Sequence, residues 1–443
     1  MNISKIFSYI LIIFLNFKYN CSDDNPTIQF YFDFNITYEI NSYNSNNSNN
    51  SYIYPDNLLF GNIKFLDDNN IFYNIPRNNN NSINNSATFV KLNRTSGEYE
   101  CWPNETYNKL SNMESCDGFV SIIAFEFDNN NNIYLLDEGN DICPIILYKF
   151  NSERERLENY TIFENKTERL NIIDFVLDKV NNYIYISFYN NTDNIDSEYE
   201  EGFIIKKLDK DTKEANIVFL EDEKLKFDKE YKFSNNFTDN NFQDINKKLI
   251  STTLSCDGDV LFFAPISSRM IYSIKTKKLR KLKNNVIKID DVNESYKNDA
   301  SSAMVSSNLG NLYLNGLEKG VIYIAGQIDK DLTIFDYKGV DKREKNDERE
   351  MDWPSKMSIY DGNLYIICKN IVKNNGDTFY LITQVFKLSI YKEKSYVYKC
   401  AGIGQKWDWE TYSVWILFVA IVIFVLVFVF IGNKEDKVIN KKD

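Results

Sequence analysis

The sequence contains no histidine in its 443 residues. Catalysis by Ser-His-Asp or Cys-His groups and zinc held by imidazole are therefore excluded. Acid–base chemistry would fall to Asp, Glu, Tyr, Lys or Cys, each of which needs a shifted pKa to act near neutral pH. The cysteine spacing offers no zinc site, and no dense aspartate run of the calcium-loop kind occurs. The sequence predicts no metal and no cofactor, and it leaves open whether the protein is an enzyme.

Glycine and proline are scarce, with 16 and 7 residues, and no long amphipathic helical pattern occurs before residue 411. Short runs rich in aromatic and β-branched residues occur instead, as half-buried strands require. The fold class predicted is all-β.

Positive charge is also in deficit: 51 Lys and Arg face 63 Asp and Glu, a formal net charge of −12. Affinity for nucleic acid comes mainly from Lys and Arg that neutralise phosphates. Nucleic acid is therefore not expected as a partner.

Two uncharged hydrophobic runs lie at the ends of the chain. Residues 6–17 follow Lys5 and are too few to span a bilayer, which predicts a cleaved signal peptide over residues 1–21. Residues 411–433 contain no charge and predict a transmembrane helix, followed by a short cytoplasmic tail over 434–443. The alternative, a buried core helix, would need a surrounding domain. The prediction is a single-pass type I membrane protein whose residues 22–405 lie outside the cell or in the lumen of an endomembrane compartment.

Glycosylation acceptors and cysteines agree with that orientation. Six cysteines remain if Cys21 leaves with the signal peptide, and an even number in an oxidising compartment indicates disulfides, with fifteen possible pairings. After Ser22, acceptor triplets occur only before the predicted membrane span, at twelve positions: Asn35, Asn46, Asn49, Asn80, Asn84, Asn93, Asn104, Asn159, Asn165, Asn190, Asn236 and Asn293.

One sequence motif recurs along the chain: a polar Asp/Asn/Gly turn followed by an apolar pair. Its six copies are "DDNNIFY" (67–73), "NNNNIYLL" (129–136), "VNNYIYIS" (180–187), "CDGDVLFF" (256–263), "NLGNLYL" (308–314) and "YDGNLYII" (360–367). Most copies lie far enough apart to hold a four-stranded sheet, and six such sheets arranged radially bury both faces against their neighbours. The sequence predicts a six-bladed β-propeller over 22–405. Two unrelated β-sandwiches are the alternative. Residues 28–34, "IQFYFDF", are expected to complete the last blade beside "SYVYKC" (395–400).

The repeat units also resemble the major royal jelly protein and Yellow family. The resemblance runs in order through "IFYNIPR", "SCDGFVSIIAFEFDNNNNIYLLDEG" with "CPIILYKF", "CDGDVLFFAPISSRMIYSIKTKKL" and "MDWPSKMSIYDGNLYIICKN". It implies a six-bladed propeller and a disulfide between Cys116 and Cys143. Family members differ in function, from dopachrome conversion to amine binding in the central cavity, and a fold alone does not fix a function.

Ligands of propellers usually lie on the axis, so polar residues near the ends of the inner strands are the candidates. Asp174 interrupts an apolar inner strand, and burying its carboxylate costs free energy unless it is paired; the alternative is a backbone-capping role. Asp137 and Glu138 end a strand as adjacent acids, suited to an ammonium ligand or to a solvated turn. Ser302 and Asn370 are further candidates, with a structural role as the alternative.

Three functions follow from this reading. The first is a membrane-anchored, glycosylated propeller that binds a small aromatic or amine ligand in its central cavity. The second is a cell-surface domain that acts through protein contacts, and the third is an isomerase resembling the dopachrome-converting members. The absence of histidine favours the first two over the third.

Overall fold

The structure is a computed structural model. It describes residues 28–40, 61–77, 87–96, 98–109, 111–163, 170–190, 201–209, 215–226, 250–282, 285–296, 299–318, 320–328, 331–335, 354–373 and 379–390. The predicted signal peptide, membrane span and tail lie outside these residues. Among the residues described, no helix is long and apolar enough to cross a membrane.

The described residues form six antiparallel sheets, which we call blades 1 to 6. Blades 1 to 3 hold β2 (Ile63–Phe65), β3 (Asn70–Asn74), β4 (Phe89–Asn93) and β5 (Glu98–Cys101); β6 (Ile122–Phe127), β7 (Ile133–Asp137), β8 (Ile145–Phe150) and β9 (Arg156–Phe163); β10 (Leu170–Asp178), β11 (Tyr183–Asn190), β12 (Glu201–Lys207) and β13 (Asn216–Leu220). The short β17 (Val286–Ile287) pairs in parallel with the outer edge of blade 3.

Blades 4 to 6 follow the same order. They hold β14 (Ile250–Leu254), β15 (Val260–Pro265), β16 (Met270–Lys275) and β18 (Asn293–Tyr296); β19 (Met304–Ser306), β20 (Asn311–Gly316), β21 (Val321–Ile328) and β22 (Asp331–Phe335); β23 (Pro354–Tyr360), β24 (Asn363–Lys373), β25 (Phe379–Ser389) and β1 (Ile28–Ile40). The helices described are α1 (Asn112–Ser115), α2 (Thr276–Leu279) and the 3-10 helices Glu223–Leu225 and Ile289–Asp291.

Every copy of the repeated motif contains the turn between the first and second strands of a blade. In blades 2 to 6 the turn contains a residue with positive φ, a conformation that favours glycine and asparagine because it crowds other side chains. These residues are Asn131, Asn182, Gly258, Gly310 and, in blade 6, both Asp361 and Gly362. The repeated motif therefore occurs once in each blade, after its first strand, as the sequence predicts.

The N-terminal strand closes the ring. β1 pairs antiparallel with β25, in a register that sets Phe30 against Phe386, and so becomes the fourth strand of blade 6. The predicted closure by residues 28–34 is confirmed. The strand beside it is Phe379–Ser389, and the segment 395–400 that was predicted there lies outside the described residues.

The core lies between the blades. The buried hydrophobic residues described form six clusters, and each cluster joins two neighbouring blades: 1 with 2, 2 with 3, 3 with 4, 4 with 5, 5 with 6, and 6 with 1. Such a closed circuit of packed faces is the geometry of a propeller. Two separate sandwiches would leave two of these seams unpacked, so that alternative is wrong.

The first strands of the blades form the innermost ring. β6 contacts β10, β10 contacts β14, β14 contacts β19, β19 contacts β23 and β23 contacts β2. An ion pair between Lys64 and Glu126 joins β2 to β6. Blades 3 and 6 are three places apart in this ring of six, so β10 and β23 face each other across the axis.

The disulfide implied by the family resemblance is present. Cys116 follows α1 and Cys143 precedes β8, and the two are bonded with Cα atoms 5.5 Å apart. Cys143 is buried. The bond thus fixes the segment that enters blade 2 to the connection between its second and third strands.

Candidate functional site

Three of the inner strands contain a β-bulge. The register shifts between Ile122 and Ala124 in β6, between Ile172 and Asp174 in β10, and between Pro354 and Lys356 in β23. A bulge bends its strand and changes the direction of the neighbouring side chains, which is why bulges often lie beside functional sites. In blades 3 and 6 the residue that follows the bulge is charged.

Asp174 and Lys356 lie at the same height along the axis. Asp174 pairs with Ser187 and Lys356 pairs with Ile367. The apolar pair of the repeated motif starts at Ile184 in blade 3 and at Leu364 in blade 6. Ser187 and Ile367 each lie three residues after that start. Equivalent positions in opposite blades thus carry opposite charges.

These two side chains meet. The Nζ of Lys356 donates a hydrogen bond to Oδ2 of Asp174, although the residues are 182 positions apart in the sequence. The side chains are 13% and 17% exposed, respectively. The other oxygen of Asp174, Oδ1, accepts the backbone N–H of Phe175 at 2.8 Å. Asp174 is thus oriented by its own strand, and the long Lys356 side chain spans to it.

A second ion pair lies nearer the turn end of the ring. Nζ of Lys64 lies 2.6 Å from Oε2 of Glu126. Burial alone would raise the pKa of Glu126, but Lys64 and Lys179 lower it below its ordinary value. Burial lowers the pKa of Lys179 to about 8, against the opposing effect of Glu126. Charged groups from blades 1, 2 and 3 therefore meet at this level.

Two buried hydroxyls on the inner strands have no hydrogen-bond partner among the described residues: Oγ1 of Thr252 in blade 4 and Oγ of Ser358 in blade 6. Ser358 lies two residues after Lys356 on β23, so the two side chains share one face of that strand. A buried polar group without a partner costs free energy, and such groups are rare. Ser358 therefore adds an unused donor and acceptor on the strand face of Lys356.

Ser302 and Asn315 hold the bulge that precedes Lys356. Oγ of Ser302 donates to the carbonyl oxygen of Ser355 at 3.2 Å and accepts from Nδ2 of Asn315 at 2.9 Å. The same Nδ2 group donates to the carbonyl oxygen of Pro354. Blade 5 thereby fixes the backbone of blade 6 next to Lys356. Ser302 thus helps to hold the backbone next to Lys356, and its role as a ligand residue stays a prediction.

Asn74 of blade 1 holds the bulged strand of blade 2 in a similar way. Its Nδ2 donates to the carbonyl oxygen of Ile122 at 2.9 Å, just before the bulge of blade 2, and its Oδ1 accepts the N–H of Asn62. Asn74 in blade 1 and Asn315 in blade 5 lie at or next to the end of the second strand, and each bonds to the bulged strand of the next blade.

Asp137 lies in a different environment from Asp174. Its carboxylate is buried and accepts backbone N–H groups of Val120 at 2.8 Å, Ser121 at 2.9 Å and Gly139 at 3.1 Å. Burial raises its pKa to about 6, against the lowering effect of these hydrogen bonds. The structure thus shows Asp137 tying the start of blade 2 together.

The other predicted ligand residues are placed as follows. Glu138 is half-buried, and its N–H donates to the carbonyl oxygen of Ser121 at 3.1 Å. Asn370 lies on β24 opposite Ile382. The structure does not describe the Asn370 side chain, so its ligand role stays a prediction, as does that of Asp137 and Glu138.

The sequence reasoning missed Lys356, Lys64 and Glu126. A signal for them exists: charged residues interrupt the first strand of four blades, in "NIKF", "AFEF", "IDFVLD" and "SKMSIY". The sequence predicts only Asp174, because a carboxylate inside an apolar strand costs free energy unless it is paired. Within the described ranges, no group of His, Cys, Asp or Glu side chains is arranged to hold a metal ion.

Comparison with known proteins supports the family resemblance. The major royal jelly protein family matches residues 220–394, from the end of β13 through blades 4, 5 and 6. The predicted resemblance is thereby confirmed, together with the six-bladed fold. No curated protein matches the sequence.

Several solved structures are similar in fold. A luciferin-regenerating enzyme is 8% identical, with 74% of this chain and 89% of that chain covered and a TM-score of 0.42. Regucalcin from Agrobacterium tumefaciens, a calcium-binding protein, is 9% identical, with 74% and 91% covered and a TM-score of 0.37. A nidogen/laminin complex contains a chain that is 9% identical, with 68% and 85% covered and a TM-score of 0.36.

Proposed function

We propose that this six-bladed propeller, whose residues 220–394 match the major royal jelly protein family, binds a small aromatic or amine ligand on its axis, at Asp174 and Lys356. The observation that carries the proposal is the ion pair between opposite blades, built on two bulges at equivalent heights. Neither Asp174 nor Lys356 belongs to the hydrophobic clusters that join neighbouring blades. They lie where the ligands of propellers usually bind.

The environment strengthens this site. Asp174 and Lys356 are mostly shielded from water, so charged groups of a ligand would interact with them more strongly than at an exposed surface. The backbone around Lys356 is fixed by Ser302 and Asn315. A site whose supporting residues are already bonded loses little conformational entropy when it binds. Asp174 is the residue we assign to the ammonium of an amine ligand.

The setting of the site is part of the same proposal. We place the propeller outside the cell or in an endomembrane lumen, anchored by residues 411–433 and glycosylated. Four acceptor asparagines have side chains that the structure describes, and all four are exposed: Asn93, Asn104, Asn159 and Asn293. Exposure is what an attached glycan requires.

A thermal melt tests the ligand site. The full-length protein is melted with a panel of aromatic amines and catechols, each at increasing concentration. A ligand at 100 times its Kd adds about 2.7 kcal/mol to the free energy of unfolding, which is readily measured. We expect at least one compound to raise Tm, and we expect Asp174→Asn to lose most of that shift. Asp117→Asn, which neutralises an exposed carboxylate, is the matched control and should keep the full shift.

Two results would count against the proposal. One is a cooperative melt that no compound shifts. The other is an equal shift in wild type, Asp174→Asn and Asp117→Asn, which would move binding away from the axis.

A further inference from the structure

We infer that the axial ligand is a zwitterion, a free α-amino acid whose ammonium binds Asp174 and whose carboxylate binds Lys356. This inference rests on the proposed function and narrows it to one class of amine. The observation behind it is that Asp174 is not alone on the axis: its carboxylate is already bonded to the ammonium of Lys356.

Charge balance excludes the simpler ligands. An amine without a carboxylate would displace Lys356 from Asp174 and leave the Lys356 ammonium with no counter-charge, at a side-chain exposure of only 13%. A carboxylic acid without an amine would leave Asp174 in the same state. Removing one partner of a mostly buried ion pair is strongly unfavourable, because the remaining charge stays desolvated. A ligand with both charges replaces one ion pair by two.

Asp174 and Lys356 differ in mobility, and this difference suits the entry of a ligand between their charged groups. Asp174 is fixed, since Oδ1 accepts the N–H of Phe175 and Ser187 donates to its carbonyl oxygen at 3.3 Å. Lys356 carries its charge on a flexible four-carbon stem, which can retract without moving the backbone. Because the backbone before Lys356 is held by Ser302 and Asn315, the retraction is confined to the side chain.

Ser358 completes the carboxylate side of the site. Its hydroxyl is buried, has no partner among the residues described, and shares a strand face with Lys356. A hydroxyl can donate to a carboxylate oxygen, and such a charge-assisted hydrogen bond is stronger than one between neutral groups. Lys356 and Ser358 together thus present an ammonium and a hydroxyl to the carboxylate, opposite the Asp174 carboxylate.

Matched ligands test the charge requirement. Binding to the full-length protein is measured by calorimetry with tyrosine, with tyramine, which lacks the carboxylate, and with 3-(4-hydroxyphenyl)propionate, which lacks the amine. The same three measurements use leucine, isopentylamine and 4-methylpentanoate, so that an aliphatic side chain is covered. We expect the amino acid of at least one series to bind at least tenfold more tightly than both of its single-charge analogues.

Two variants assign the charges. Lys356→Met should abolish the preference for the amino acid over the amine, because no stranded ammonium remains. Ser358→Ala should weaken binding of the amino acid and leave binding of the amine unchanged. Ser358→Ala removes a hydroxyl without a described partner, so its Tm without ligand should equal or exceed that of the wild type.

The outcomes separate this inference from the proposed function. If an amine binds wild type as tightly as its amino acid and Asp174→Asn abolishes that binding, the axial site stands and the zwitterion is wrong. If none of the six compounds binds, the inference is overturned, and the broader amine and catechol panel then decides the proposed function by itself.

Discussion

Trp102→Ala is expected to lower the free energy of unfolding by about 3–5 kcal/mol, the usual cost of removing a large aromatic side chain from a packed core. Trp102 is 1% exposed and lies in the cluster between blades 1 and 2. Its ring meets three others edge-on, with centroids 5.6 Å from Phe72, 5.6 Å from Phe89 and 5.3 Å from Phe150. Such aromatic pairs add stability beyond the area they bury.

Urea unfolding at equilibrium measures this effect. Trp102→Phe is the matched control, because it keeps an aromatic ring at the seam, and it should cost clearly less than the alanine variant. The slope of the unfolding free energy with urea should stay constant across the three proteins if only stability has changed. A loss below about 1 kcal/mol for Trp102→Ala would show that the seam between blades 1 and 2 is not packed as described.

The second large effect is expected from the disulfide. Its two cysteines are separated by 27 positions. In the chain-entropy model, closing a loop of that length stabilises the folded state by about 3–4 kcal/mol. The loop contains the first two strands of blade 2 and the Asp137 carboxylate that ties them. We therefore expect the double variant Cys116→Ser/Cys143→Ser to unfold at much lower urea than wild type.

Cys101→Ser provides the control for this variant. Cys101 is a free thiol at the end of β5 and is half-buried, so its replacement should change stability by less than about 0.5 kcal/mol. Equal urea midpoints for the double variant and Cys101→Ser would contradict the assigned role of the bond. Wild type treated with a reductant should unfold at no higher urea than the double variant, because Cys256 is disulfide-bonded as well and loses its bond too.

The blades could be predicted because their signals are local. A turn that needs positive φ selects glycine or asparagine at one position, and a half-buried strand shows its pattern within a few residues. Gly258, Gly310 and Gly362 mark three of the turns in this way. The closure by β1 could be predicted from the same alternation in residues 28–34, and the structure pairs β1 with β25.

The candidate site was predictable only in part, because the contact between Asp174 and Lys356 depends on how the six blades close into a ring. Asp174 stands out as a carboxylate in an apolar strand, but its partner Lys356 lies 182 positions away. The bulges that turn both side chains depend on strand register, which sequence alternation alone does not specify. Asp137 shows the opposite case: adjacent acids at a strand end suggest a ligand, whereas the carboxylate accepts N–H groups from the chain 16 and 17 positions earlier.

The most direct test of the account is a charge-reversal cycle on the axial ion pair. The central claim is that ring closure brings Asp174 of blade 3 against Lys356 of blade 6. Asp174→Lys and Lys356→Asp each place two like charges together, and each should lower the free energy of unfolding by about 1–3 kcal/mol, between the values for exposed and buried pairs. The double variant restores opposite charges and should recover most of that loss. Additive losses in the double variant would contradict the claim, because additivity is what residues without contact show.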